Sequence, residues 1–193
     1  MSAMSDTLEN GMTNRALNKI SPEVLARAAK IRLVIFDVDG VLTDGKLYFD
    51  EQGYEYKCFH VRDGHGIKLL RTTGVESAVI SGRRAESVTR RMENLGIHLV
   101  YQGIEDKLGV FDSLCQELSL SPEQVAHVGD DLVDLPVMRR VGLSIAVADA
   151  HSSVLPHTDW QTRNPGGNGA AREVCDLIME AQGTLAGVIH RYL

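Results

Sequence analysis

Five short apolar runs, separated by stretches of helical character, constrain the fold of this chain more than any other feature of its sequence. Each run is continuous rather than alternating, as expected of strands that are buried on both faces of a parallel sheet. Because strand and helix alternate, the pattern predicts an α/β fold: a doubly wound parallel sheet with right-handed crossovers. The predicted strands span residues 32–37, 75–81, 97–101, 125–130 and 143–148, and the predicted helices span residues 64–73, 83–95, 106–118 and 131–141.

The length of 193 residues and the 44% hydrophobic content are those of one globular domain with a real core. Residues 1–20 show no apolar periodicity and are interpreted as a loosely ordered leader. This leaves a single domain over residues 21–193, with a C-terminal tail at residues 163–193.

Charge and cysteine content indicate the compartment and exclude some partners. The net charge of −6 argues against a nucleic acid or a membrane surface as partner. The N-terminus has no basic segment that leads into an apolar stretch, and no run approaches the roughly 20 apolar residues of a membrane helix. Cys58, Cys115 and Cys175 are widely spaced and form no CxxC pair, as is typical of reduced thiols. Together these features predict a cytoplasmic protein.

Residues 46–59 interrupt the alternation of strand and helix. Two strand-like segments flank a glycine-containing turn at residues 50–53, which predicts a β-hairpin insertion. The segment carries three tyrosines and two phenylalanines. Since a lone hairpin is marginal in water, it packs either on its own domain or on another subunit, and both possibilities stay open.

Polar residues follow four of the predicted strands, where the ligand site of an open α/β sheet lies. They are Asp37 and Asp39 after the first strand, Ser81 at the second, Lys107 after the third, and Asp130, Asp131 and Asp134 after the fourth. Carboxylates gathered at one edge repel each other unless a divalent cation neutralises them, and an all-oxygen set suits Mg²⁺. A nearby hydroxyl and ammonium would complete a site for phosphoryl transfer. The histidines other than His60, including His127, show no ligand pairing and are predicted to be core or surface residues.

In this order, DVDGVLTDG from Asp37, the ISGR strand end, Lys107 and GDDLVD from Gly129 resemble the four motifs of the haloacid dehalogenase superfamily. The resemblance covers residues 32–148. It implies that Asp37 is the nucleophile that forms an aspartyl-phosphate, while Asp39 protonates the leaving alkoxide and then activates water. An acid two residues after the nucleophile is typical of the phosphatases and mutases of this superfamily. Its ATPases have threonine there, so transfer to water is favoured.

The same resemblance implies a Mg²⁺ site and its supporting residues. The metal would be held by Asp37, the backbone carbonyl of Asp39 and Asp130. Asp131 and Asp134 would support these ligands. Ser81 would bond the phosphoryl oxygens, and Lys107 would offset the charge of the nucleophile.

Neither gap between the motifs has room for a cap domain, so a capless member is expected. The chain is most similar to the capless, tetrameric phosphatases that act on octulosonate phosphate, an eight-carbon sugar acid of lipopolysaccharide precursor synthesis. This resemblance implies a homotetramer built through the hairpin at residues 46–59. It implies substrate contacts at Asp39, His60, Val61, Arg62, Asp63, Gly64, Lys68, Arg83, Arg91 and Lys107. An acidic protein that binds a phosphate and a carboxylate also needs placed cations, and arginine is a good bidentate partner for both.

Two other functions and one segment stay open at this stage. A capless phosphatase for another sugar acid, such as an acylneuraminate 9-phosphate, would have the same motifs. A receiver-like signalling domain also carries a phosphoacceptor aspartate at a strand end, but such domains have no DxDG motif and no late acidic cluster.

The sequence GGNGAARE at residues 166–173 is either a loop that precedes a helix or a mobile lid, and the resemblance favours the lid.

Overall fold

A computed structural model of the protein describes residues 20–193. The predicted leader therefore lies outside the described residues, apart from Ile20. The helices are α1 (Pro22–Ala28), α2 (Val61–Arg71), α3 (Glu86–Leu95), α4 (Lys107–Glu117), α5 (Leu135–Met138), α6 (Ala170–Ala181) and α7 (Leu185–His190). The strands are β1 (Leu33–Phe36), β2 (Tyr48–Phe49), β3 (Glu55–Tyr56), β4 (Glu76–Ser81), β5 (Leu99–Gln102), β6 (Val125–Gly129), β7 (Leu143–Ala146) and β8 (Trp160–Gln161).

Six of the strands form one parallel sheet in the order β5-β4-β1-β6-β7-β8. The chain runs outward from β1 through β4 to β5 and then returns to β6 on the other side of β1. The order therefore reverses at β1, and a ligand crevice forms at the carboxyl end of the strand where such a reversal occurs. The five predicted strands and the α/β class are confirmed. The sixth strand, β8, was not predicted.

The sheet is covered on both faces. Successive side chains of β1 point to opposite sides: Val34 and Phe36 enter a core formed with α1, α2, α3, α6 and α7, while Leu33 and Ile35 enter a core formed with α4 and α5. All four side chains are fully buried, which explains the continuous apolar run. No helix within residues 20–193 has the length and apolar character needed to cross a membrane.

The predicted helix at 131–141 is wrong in extent. A single 3₁₀ turn at Leu132–Asp134 leads into the four-residue α5. The Asp134 carboxylate turns back to accept the N–H groups of Asp130 (3.0 Å) and Asp131 (3.3 Å), which fixes a tight turn where a longer helix was expected. At the other predicted helices the differences are small; α2, for example, begins at residue 61 instead of 64.

The hairpin between β1 and α2 is a small antiparallel sheet of β2 and β3, as predicted. The Asp50 carboxylate fixes its turn by accepting the N–H groups of Gln52 (3.0 Å) and Tyr54 (2.8 Å). Its aromatic side chains Tyr48, Phe49, Tyr54 and Tyr56 are 42–70% exposed. Only α3 and β5 lie between β4 and α4, so neither insertion point holds a cap domain.

Candidate active site

Three carboxylates meet where β1 and β6 end. Oxygens of Asp37, Asp130 and Asp134 all lie within 4.8 Å of one another. Asp37 directly follows β1, and its N–H continues the ladder by donating to the carbonyl of Val128 at 3.0 Å. The pairing of β1 with β6 therefore brings the first and fourth motifs of the sequence together.

Lys107 lies between two of these carboxylates. Its buried Nζ donates to Asp37 Oδ1 at 2.5 Å and to Asp134 Oδ1 at 2.7 Å. Lys107 is the first residue of α4, whose start is fixed by the Asp106 side chain accepting two backbone N–H groups. His127 in the middle of β6 adds a second contact to Asp134, with Nε2 at 3.0 Å from Oδ1. Asp134 thus has donors at both oxygens and supports the cluster rather than facing a ligand.

The surroundings of each carboxylate set its pKa. Burial raises the pKa of Asp37 to about 6, although Lys107 opposes the shift. Burial raises the pKa of Asp130 to about 8, and the negative charges of Asp37 and Asp134 add to the shift. Burial favours a higher pKa for Asp134 as well. The hydrogen bonds and charges of His127 and Lys107 outweigh it and hold the pKa of Asp134 below the usual range. Asp37 therefore shares the charge of Lys107 with Asp134, and Asp130 has little compensating positive charge when it is ionised.

The donor set fits a Mg²⁺ ion. Asp37 and Asp130 offer hard carboxylate oxygens, no histidine or cysteine of residues 20–193 joins them in the cluster, and Asp130 is short of positive charge. Gly40 makes room for this arrangement, since a Cβ at Gly40 would lie 2.1 Å from Asp130 Oδ2. Its φ of +92° also favours glycine. Asp37, Asp130 and the backbone carbonyl of Asp39 are the residues that would hold the ion.

Asp39 is contacted by residues of the hairpin and of the β4 loop. Lys57 Nζ donates to Asp39 Oδ1 and also pairs with Glu55 at 2.7 Å. Arg83 donates to the second oxygen of Glu55 at 2.8 Å, and its Nε lies 3.7 Å from Asp39 Oδ2. The base of the hairpin is thereby part of the site. Ser81, at the end of β4, is buried, and its Oγ accepts the N–H of Arg83 at 3.3 Å.

The predicted contacts at the start of α2 fall into two groups. His60 precedes the helix, and Val61 and Arg62 are exposed in its first turn. Asp63 is buried instead, and its carboxylate accepts the backbone N–H groups of Gly169 (3.1 Å) and Arg172 (2.8 Å).

The structure therefore gives Asp63 the role of holding the start of α6, and a substrate contact there stays a prediction. Gly64 allows the Arg91 side chain to pack against α2, because a Cβ at Gly64 would lie 2.2 Å from Arg91 Nη2. Arg91 in turn lies over the Phe59 ring at 5.9 Å. Lys68 lies further along α2 and is exposed.

The glycine-rich segment is packed against the site loop of the same chain. The N–H of Gly167 donates to the carbonyl of Val41 at 2.9 Å, and that of Gly166 donates to Asp149 at 2.9 Å. A Cβ at Gly166 would lie 1.6 Å from the carbonyl oxygen of Gly40. These contacts favour the interpretation as a loop that precedes a helix. The lid interpretation does not fit glycines packed this closely on backbone.

Sequence reasoning missed three residues of the site: Glu55, Lys57 and His127. Glu55 and Lys57 are two positions apart in the hairpin, so both point to the same face, opposite the exposed Tyr54 and Tyr56. That alternation was a usable signal. His127 is a polar residue inside the apolar run of β6, where a buried side chain needs a partner, and the partner proved to be Asp134.

Comparison with known proteins agrees with this geometry. Residues 103–174 match the model of a family described as haloacid dehalogenase-like hydrolase. The 3-deoxy-D-manno-octulosonate 8-phosphate phosphatase of Escherichia coli strain K12 is 53% identical over 166 residues, which are 86% of this chain and 88% of that protein. The chain belongs to this family of phosphatases within the haloacid dehalogenase superfamily.

Solved structures of this phosphatase family have the same fold. The 1.95 Å crystal structure of the Yersinia pestis phosphatase is 53% identical, with a TM-score of 0.86, and the match covers 87% of this chain and 91% of that one. The Moraxella catarrhalis phosphatase is 38% identical, with a TM-score of 0.87 and coverage of 89% and 98%. That protein was crystallised with a magnesium ion, a phosphate ion and a KDO molecule. The present protein is a phosphatase, and its cluster of Asp37, Asp130 and Asp134 could hold a metal ion.

Proposed function

We propose that the protein hydrolyses 3-deoxy-D-manno-octulosonate 8-phosphate to 3-deoxy-D-manno-octulosonate and phosphate, as a step of lipopolysaccharide precursor synthesis. The observation that carries the proposal is the 53% identity to a phosphatase named for this substrate, over most of both chains. The cluster of Asp37, Asp130 and Lys107 supplies the chemistry that such a reaction needs.

In the first step a carboxylate oxygen of Asp37 attacks phosphorus. The bond between phosphorus and the sugar oxygen breaks, and Asp39 gives its proton to that oxygen. Lys107 holds Asp37 through Oδ1, which fixes the rotation of the nucleophile. When bound, Mg²⁺ neutralises charge on the carboxylates and on the phosphoryl group.

In the second step water hydrolyses the aspartyl-phosphate. Asp39, now ionised, accepts a proton from the attacking water. The bond between phosphorus and the Asp37 oxygen breaks, which restores the carboxylate and releases phosphate. Ser81, buried at the end of β4, would donate a hydrogen bond from its hydroxyl to a phosphoryl oxygen.

Substrate recognition is assigned to cations around the opening of the site. Arg83 lies beside Asp39 and is held by Glu55, which orients its guanidinium for an anionic sugar acid. Arg62 is exposed at the start of α2. The remaining contacts implied by the family stay part of the proposal: His60, Val61, Asp63, Gly64, Lys68, Arg91 and Lys107.

The proposal includes a homotetramer that acts in the cytoplasm. The exposed aromatic side chains at residues 48–56 supply an apolar surface through which hairpins of several subunits could pair. Cys58, Cys115 and Cys175 are free thiols, which supports a reducing compartment.

The experiment that tests the proposed function is phosphate release from a panel of sugar phosphates, with Mg²⁺ and with EDTA. We expect a strong, Mg²⁺-dependent preference for the octulosonate ester over an acylneuraminate 9-phosphate. Asp37→Asn should lower kcat at least about 1,000-fold because the nucleophile is lost.

The matched control is Asp112→Asn, which removes an exposed carboxylate whose one ion-pair partner within residues 20–193 is Arg140 at the surface. It should keep wild-type activity. Even, weak hydrolysis of the whole panel would overturn the substrate assignment. Full activity of Asp37→Asn would overturn the nucleophile.

A further inference from the structure

Lys57 is a buried lysine on a hairpin whose aromatic side chains are exposed. Its side chain is 2% exposed, and a buried ammonium is costly unless charged partners surround it. Those partners are Asp39 and Glu55. Neither the four motifs nor the reaction steps above give Lys57 a role, although it touches the proposed acid and base of the reaction.

The two oxygens of Asp39 are in different situations. Oδ1 accepts a hydrogen bond from Lys57. Oδ2 is buried and has no hydrogen-bond partner within residues 20–193, and the Arg83 Nε at 3.7 Å is too distant to donate. A carboxylate held through one oxygen keeps a fixed orientation and leaves the other oxygen free for a proton.

We infer that Lys57 is a positioning residue that holds Asp39 through Oδ1, so that Oδ2 exchanges the proton with the leaving oxygen of the substrate. The inference rests on the proposed function, in which Asp39 is the general acid and base. Glu55 fixes the Lys57 ammonium from its other side and holds Arg83 through its second oxygen. The hairpin therefore orients the proton donor as well as presenting an outer surface.

A purely structural role for Lys57 would have a different signature. Loss of a buried ion pair would lower the stability and affect every substrate to the same degree. Loss of a positioned acid affects a substrate in proportion to its need for protonation. A sugar alkoxide is a poor leaving group and needs the proton, whereas p-nitrophenolate leaves without one.

The test compares leaving-group release in single turnovers, with enzyme in excess, for Lys57→Met and wild type. The two substrates are 3-deoxy-D-manno-octulosonate 8-phosphate and p-nitrophenyl phosphate, both with saturating Mg²⁺. We expect the release rate of the sugar acid to fall about 100-fold, the size typical of a general acid. Release of p-nitrophenolate should fall less than about fivefold. In steady-state assays, KM for the sugar phosphate should change little.

Three further variants define the result. Lys46→Met makes the same change at an exposed lysine of the same hairpin and should match wild type with both substrates. Lys57→Arg keeps the positive charge and should restore most of the selective loss. If Lys57→Met does not fold, Glu55→Gln removes the anchor of Lys57 and should lower the single-turnover rate at saturating enzyme selectively for the sugar phosphate, by a smaller factor. Because Glu55 also holds Arg83, weaker binding of the sugar phosphate by this variant is expected as well and does not count for or against Lys57.

Equal losses with both substrates, or an effect confined to KM, would overturn the role of Lys57. Wild-type turnover of the octulosonate ester decides the proposed function separately. If it is poor, the same comparison is made with glycerol 3-phosphate, another alkyl ester, so the two ideas fail independently.

Discussion

The carboxylate of Asp130 is the group of the acidic cluster that most needs a cation. Asp134 is surrounded by donors, whereas the leading influences on Asp130 are burial and the negative charges of Asp37, Asp134 and Asp131. Burial raises the pKa of Asp130 to about 8, so ionisation near neutral pH opposes folding when no metal is bound.

Asp130→Asn should therefore stabilise the metal-free protein in a pH-dependent manner. A folded-state pKa above the ordinary value of 3.8 gives stability that is present below about pH 4 and is lost as pH rises through about 8. In EDTA the variant should melt about 3 °C above wild type at pH 9, or roughly 1 kcal/mol for this chain length. The gain should be smaller at pH 5, because only the first part of this loss has occurred there.

The same variant should lose the stabilisation that Mg²⁺ gives to wild type at pH 8, together with at least about 99% of its activity. Thermal melts with EDTA and with Mg²⁺ across pH 5–9 provide the measurement, with Asp112→Asn as the control for loss of an exposed carboxylate. Equal gains in melting temperature at pH 5 and pH 9 would contradict the assigned ionisation of Asp130.

At the residue scale the sequence predicted which charged residues lie together better than it predicted their supporting contacts. Asp37, Lys107 and Asp130 follow predicted strands and share one sheet edge, so strand order alone brought them together. Lys57 and Asp39 are 18 residues apart, and the folding angle of the hairpin decides their contact. The alternation of side chains places Lys57 on the same face as Glu55, but no local pattern encodes that angle, so the contact of Lys57 with Asp39 could not be predicted.

Among the structural elements, the loops at Gly40 and Gly166 fit together without space for a side chain. A Cβ at Gly166 would lie 1.6 Å from the carbonyl oxygen of Gly40. Neither backbone segment can move without disturbing the Asp37 to Asp39 turn or the hydrogen bond from Gly167 to Val41.

Gly166→Ala should thus displace the site loop and lower both activity and stability. We expect kcat/KM to fall at least tenfold and the free energy of unfolding to fall by about 1–3 kcal/mol, the range for overpacking of a close contact. Gly187→Ala is the matched control, since no atom of residues 20–193 lies within 4 Å of a Cβ there, and alanine in α7 should be neutral or slightly stabilising. Steady-state kinetics and urea unfolding measure both. Wild-type behaviour of Gly166→Ala would show that this contact can relax.

Element prediction succeeded where an apolar run was continuous and failed where an element depends on partners from distant parts of the chain. The residues of β1, including Val34 and Ile35, form an uninterrupted apolar run, so their burial could be read directly. Strand β8 is only Trp160 and Gln161 and exists because it pairs with β7. The predicted helix at 131–141 was shortened by the hydrogen bonds of Asp134, which local propensity does not include.

For the whole molecule the exposed hairpin aromatics are the surface that most needs a partner. A two-stranded sheet with exposed Phe49 and Tyr54 has little independent stability. Phe49→Asp should therefore weaken the proposed tetramer and give dimers or monomers in light scattering at micromolar concentration. Ile189→Asp changes a comparably exposed apolar side chain in α7 and should leave the assembly intact. A tetramer that survives Phe49→Asp but not Ile189→Asp would locate the interface at α7 instead.

The contact between Asp63 and the start of α6 has a consequence for how the chain becomes active during synthesis. Asp63 and Arg172 are 109 residues apart, and the loop that seats Gly166 on Gly40 immediately precedes this helix. Long-range contacts of this kind form late, because a large loop must close before they contribute. A nascent chain that has exposed all four motifs still lacks the segment that packs against its nucleophile loop. Activity should thus appear only once the last third of the polypeptide has left the ribosome.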